Sequence, residues 1–213
     1  MEVRKIHDRV QDSALGVRLV DIAEDCAVIR QSDCAVSVWQ RRPLPSFQSW
    51  IDGLAPETLP TARVILRPEG VRTAVRQICV SAGTPDCVER DLLIDDVAAM
   101  ADIFAKLMQA QWLRLRLDLI TTNACKKFHV DAVTARLVCT YRGTGTQYGN
   151  TEGGRDPKSI FTVPTGSPIL LRGTRWPEQP PSGVRHRSPP IEGSGETRLV
   201  LVLDPITEPE EEI

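Results

Sequence analysis

The residues best suited to chemistry in this sequence gather around His129-Val130-Asp131, within a run of strand-forming residues spanning 125–149. Side chains two apart on an extended chain share a face, with Cα atoms ~7 Å apart. The imidazole of His129 and the carboxylate of Asp131 are therefore expected to project together. The chain has three histidines, and His186 lies 57 residues beyond His129 (186 − 129 = 57), just ahead of the last apolar run. A His-x-Asp pair followed by a distant histidine is the sequence form of the two-histidine, one-carboxylate set. That set holds non-haem iron(II) on one face and leaves other positions open. His129, Asp131 and His186 are the expected metal ligands. The bland reading is a strand histidine hydrogen-bonded to a neighbouring acid.

Cysteine offers an alternative. Cys125 stands four residues before His129 and, on a continuous strand, would share its face with His129 and Asp131. With His129, His186 and either Cys139 or Asp131 it would make a zinc set. Sulfur favours zinc and is a liability beside an oxidising iron. A lone strand cysteine also serves simply as a small buried hydrophobe.

Composition narrows the classes. A chain of 213 residues, 41% apolar and 25% charged, suits one ordinary soluble domain. A net charge of −2 and a pI near 6.0 give no global electrostatic case for nucleic acid or an anionic membrane. No apolar run approaches the ~18 residues of a bilayer span. The charged start, Met1-Glu2-Val3-Arg4-Lys5, has no signal core, so a cytoplasmic location is expected. None of the six cysteines forms a Cys-x-x-Cys pair; free thiols or ligands are expected rather than disulfides. Walker-type phosphate loops and Gly-x-Ser-x-Gly elbows are absent from the sequence.

The elements that must position the site follow from periodicity. Residues 1–111 are predicted to be the mainly helical part of a single domain. Residues 1–34 are expected to be loop with a short strand around 16–20. A strand is expected over 35–40, and helices over 46–54, 71–80 and 91–111, the last with the broadest apolar stripe. The period then changes. Every odd position from 113 to 119 is leucine, which predicts a half-buried antiparallel strand over 112–121. Further strands are predicted at 126–132, 134–142, 168–173, 183–187 and 197–203, with long polar connections between 143 and 166. Residues 112–205 thus form a β-rich unit carrying the site, followed by an acidic tail, 206–213. The expected class is α+β: a helical first half packed on a small barrel or two-sheet jelly roll with a site in its mouth. The helices either cover one face of the barrel or form a homodimer interface.

The segment 125–148, with Leu170-Leu171-Arg172-Gly173 and His186-Arg187-Ser188-Pro189, is similar to an uncharacterised bacterial family, domain of unknown function 1826. Relatives of that family near zinc-homeostasis proteins support a metal role, and the alternative reading is a non-catalytic, cupin-like zinc-binding protein of metal homeostasis. More broadly, the pattern resembles the iron(II)- and 2-oxoglutarate-dependent dioxygenases of double-stranded β-helix fold. That resemblance implies metal ligation by His129, Asp131 and His186, and a clamp on the oxoglutarate carboxylate by Arg198, 12 residues beyond His186 (198 − 186 = 12). A guanidinium inside a small barrel needs an anion, and a carboxylate fits its fork. Arg136, Tyr141, Arg142 and Arg172, together with Cys125 and Cys139, are then candidates for lining the pocket or holding an anionic small-molecule or protein substrate. A partner-binding module without metal is the third reading.

Overall fold

The computed structural model describes residues 16–151, 155–177 and 183–208. Most of the acidic tail and most of the loop expected near 178–183 lie outside them. The first half runs β1 (Val17–Val20), a 3-10 segment (Glu24–Arg30), β2 (Val36–Trp39), helix α1 (Pro45–Gly53), β3 (Ala62–Leu66), α2 (Val71–Ser81) and α3 (Val88–Met108). The second half holds β4 (Trp112–Ile120), β5 (Ala135–Arg142), β6 (Gln147–Asn150), β7 (Phe161–Thr162), β8 (Pro168–Arg172), β9 (Val184–Arg187) and β10 (Arg198–Ile206). Two sheets result, of order β1-β2-β8-β5-β10-β4-β3 and β7-β6-β9. Only the β1–β2 pairing is parallel among the described ladders.

The first half contributes more sheet than periodicity predicts. Its strands β1 and β2 extend the large sheet beyond β8, and β3 extends it beyond β4. β1 is the short strand expected near 16–20 and β2 the strand expected over 35–40. The unforeseen one is β3, five residues long, too short for alternation to stand out against the turn-rich sequence around it.

Side-chain parity separates two cores. On β4, β5 and β10 the odd-numbered Leu113, Leu115, Leu117, Leu137, Leu199, Leu201 and Leu203 join one cluster with the helices. Helix α3 meets it with Leu93, Ile94, Val97, Ala101 and Phe104, each fully buried at helical spacing. At ~1.5–3 kcal/mol per large apolar side chain, this face anchors the helices to the sheet. The even-numbered Val138, Val200 and Val202 turn the other way and join Ile169 and Leu171 of β8, Tyr148 of β6 and Val184 of β9. That second cluster fills the space between the two sheets. Because β10 is buried on both faces, its sequence reads as a continuous apolar run rather than an alternating one.

The segment expected as a strand over 126–132 is irregular. It touches the small sheet through a single bridge, His129 to His186. Its backbone groups are committed elsewhere: the amides of Gly173, Thr174 and Arg175 bond to the carbonyls of Thr134, Asp131 and Val133 at 2.9, 2.8 and 3.1 Å. Upstream, Asn123 Oδ1 accepts from the amides of Ile191 and Glu192, local bonding that competes with a ladder.

Candidate metal centre

His129 and His186 face each other across that bridge. The amide of each donates to the carbonyl of the other at 3.0 Å, and the ring centroids are 4.5 Å apart. Asp131 lies beside them, with Oδ2 3.0 Å from His186 Nε2 and Oδ1 3.5 Å from His129 Nε2. One ligand atom from each of the three side chains falls within 4.8 Å of the others. The expected convergence is therefore present, although a bridge and a loop produce it rather than a continuous strand.

The three groups sit in different surroundings. His129 Nδ1 lies 2.8 Å from the carbonyl of Lys127. A proton donated there leaves the Nε2 lone pair facing the centre, as metal-bound histidines require. Burial lowers the pKa of His186, with Asp131 opposing, which favours the neutral ligand form. His129 is shifted upward, first by its hydrogen bond to Asp131, with burial opposing. Burial alone would raise Asp131, but the two imidazoles and the charge of Arg136 outweigh it and hold the carboxyl well below the usual range. Its Oδ2 is buried and accepts no well-directed hydrogen bond. A buried carboxylate oxygen without a donor is costly unless a cation meets it. The donor set, two imidazole nitrogens and one carboxylate oxygen, fits iron(II) and leaves room for further ligands.

Arg198 lies on the inner face of β10 and is 1% exposed. Its Nε donates to the carbonyl of Thr144 at 2.6 Å, Nη1 to Ser188 Oγ at 2.6 Å, and Nη2 to Thr140 Oγ1 at 3.4 Å. Among the described residues no carboxylate pairs with it. Glu196 eases its charge, but that carboxylate is engaged by the amide and hydroxyl of Thr144 at 2.6 and 3.0 Å. Burial pushes the guanidinium down to about 10. Ser188 links the two features: it follows His186 by two residues, and its amide donates to the carbonyl of Cys125.

The remaining expected pocket residues divide. Arg136 is on the inner face and holds Asp131 and Asp204. Cys125 is exposed and outside the ligand cluster, because the strand that would align it with His129 does not form. Cys139 and Tyr141 have odd parity on β5 and face the helices, not the space between the sheets. Tyr141 donates to Asp96 Oδ2 at 2.8 Å, and Arg41 grips the same carboxylate with two bonds of 2.6 and 2.7 Å. This pins α3 to the sheet. Burial pushes the Cys139 thiol up to about 12. Arg142 donates to the Leu54 carbonyl at 2.7 Å, just past α1. Arg172 donates to the carbonyls of Ile29 and Gln31, each at 2.8 Å, and stacks on Trp176. These four are structural. Sequence reading missed Asp204, the acid beneath Arg136; its parity with Arg198 on one buried strand would have placed it on the inner face.

Two solved structures of similar fold are dioxygenases for auxin oxidation. The rice enzyme is 13% identical, with a TM-score of 0.52, 91% of this chain covered and 84% of the other. The Arabidopsis thaliana enzyme, solved as a 2-oxoglutarate complex, is 10% identical with a TM-score of 0.54, covering 92% of this chain and 97% of the other. At such identity the likeness is one of fold. No curated protein matches the sequence. A family model does match, over residues 21–204, and by it the chain belongs to DUF1826, a family of proteins of unknown function.

Proposed function

We propose that this protein is a metal-dependent oxygenase of the iron(II)/2-oxoglutarate type, built on a double-stranded β-helix. The observation that carries the reading is the convergence of the buried Asp131 Oδ2, which accepts no well-directed hydrogen bond, with two histidine nitrogens. His129, Asp131 and His186 would hold the metal on one face. Arg198, with the hydroxyls of Ser188 and Thr140 around it, would take the remote carboxylate of 2-oxoglutarate as a charge-assisted fork. Bound iron(II) and 2-oxoglutarate would supply activation of dioxygen coupled to oxidative decarboxylation. The chain's own part is to orient the ligands, keep His186 neutral and exclude water between the sheets. The zinc reading with cysteine ligands loses its main support, since Cys125 and Cys139 lie outside the cluster.

The test is metal content by elemental analysis on anaerobically purified protein, wild type beside His129→Ala, followed by succinate release from 2-oxoglutarate. Iron near one per chain, lost in the variant, with turnover in the wild type, is the expected result. Metal retained by His129→Ala would overturn the triad. Bound zinc without turnover would replace the oxygenase by a metal-handling protein.

A further inference from the structure

Resting on that reading of the centre, we propose that Arg136, itself clamped by Asp204, is a positioning residue that makes Asp131 a one-oxygen metal ligand. The two oxygens of Asp131 have different surroundings. Oδ1 accepts a short bond from Arg136 Nη1, whereas Oδ2 is buried with no well-directed donor and has only the ring nitrogen of His186 beside it, 3.0 Å away. Arg136 has little freedom to release Oδ1. Its Nε and Nη2 are bound side by side to Asp204 Oδ1 and Oδ2 at 2.7 and 2.8 Å. Asp204 is 1% exposed and sits near the end of β10, the strand that carries Arg198 at its start. Arg116 Nη2 approaches the same carboxylate at 3.8 Å. A planar guanidinium fixed through two of its nitrogens aims the third in one direction. The plane of the Asp131 carboxylate is thereby set from behind, by residues that do not touch the centre themselves.

The arrangement has a chemical consequence. A carboxylate binding through both oxygens fills two coordination positions, whereas one held at Oδ1 presents Oδ2 alone. Keeping one position open is what a centre needs when it must accept a chelating co-substrate and a further small ligand together. The backbone supports the same geometry, since the Thr174 amide bonds to the Asp131 carbonyl at 2.8 Å. Outer partners of metal ligands are commonly worth ~10–100-fold in metal affinity.

Cobalt(II) binding to the full chain, followed by titration and by infrared difference spectroscopy, tests this. A carboxylate bound through one oxygen shows a wider gap between its asymmetric and symmetric stretches than one bound through two. The wild type should show the wide gap. Asp204→Asn, nearly isosteric, and Arg136→Gln should each narrow it and weaken cobalt(II) binding by ~10–100-fold, with the double variant no worse than the weaker single. Asp204→Asn carries the test if Arg136→Gln fails to fold. A narrow gap in the wild type, or variants of unchanged melting temperature that keep the wide gap, would overturn the proposal while leaving the metal centre intact. A wild type that binds no cobalt(II) would instead remove the metal centre itself.

Discussion

Replacing Arg198 by methionine removes a buried cation that has no carboxylate partner among the described residues, and the structure gives the size of the effect. Burial lowers its pKa from 12.5 to about 10. At ~1.4 kcal/mol per tenfold, the folded chain holds the charge at a cost of about 3 kcal/mol. The sign follows from the direction. A base whose folded pKa is depressed carries the full penalty below pH 10 and loses it only between there and 12.5, so the penalty operates in full at neutral pH. Methionine relieves it but abandons the Thr144 carbonyl and the Ser188 hydroxyl, worth ~1–3 kcal/mol together. The metal-free variant should therefore lie within about 2 kcal/mol of wild type, whereas breaking a buried ion pair costs ~3–5 kcal/mol. The ligand response should differ sharply. At 100 times its Kd, 2-oxoglutarate should stabilise the wild type by ~2.7 kcal/mol, or ~5–10 °C for a chain of this size. Arg198→Met should show no shift. Thermal unfolding of both proteins, with and without 2-oxoglutarate and a redox-inert divalent metal, measures this. A variant destabilised by more than ~4 kcal/mol, yet still stabilised by 2-oxoglutarate as wild type is, would refute the argument and make Arg198 a structural residue.

Other outcomes are equally definite. Cys125→Ser should leave metal affinity unchanged, and in the native protein a thiol reagent should label the exposed Cys125 far faster than the buried Cys139, whose thiol is held near 12; mass spectrometry of labelled peptides reads both. Gly173→Ala would set a Cβ 1.8 Å from the Val133 carbonyl, forcing the 131–134 turn to move, and should lower metal affinity at least tenfold by titration. Asp131 has a depressed folded pKa, so the stability it contributes is present above its ordinary pKa of 3.8 and is lost as pH falls below it. Asp131→Asn should flatten that acid limb in denaturant titrations of metal-free protein. Tyr141→Phe leaves Asp96 its two bonds from Arg41 and should cost ~1–2 kcal/mol by urea unfolding, with metal binding intact.

The centre was legible because histidine is scarce. With three in the chain, the two that converge with Asp131 stood out by spacing, and the leucine alternation over 113–119 set the face of β4. The surroundings were harder to read. Strand β5 is buried on both faces, so its sequence offered no contrast to show that Arg136 faces the centre while Cys139 and Tyr141 face the helices. The misplacement of Cys125 came from assuming a strand where side chains and a neighbouring turn capture the backbone. Asp204 stayed unnoticed because its value depends on a long-range antiparallel pairing of β10 with β5, which fixes register only once both strands are in place.

The single bridge between His129 and His186 also says something about stability within the fold. Two reciprocal hydrogen bonds, with one more from the Ser188 amide to the Cys125 carbonyl, are a slender connection between a loop and a three-stranded sheet, and local opening there is expected at low cost. A metal held by both side chains would act as a removable staple across that seam. Metal loss and local opening would then become one event, and the amide protons of His129 and His186 would serve as built-in reporters of occupancy, exchanging fast in the empty protein and slowly in the loaded one.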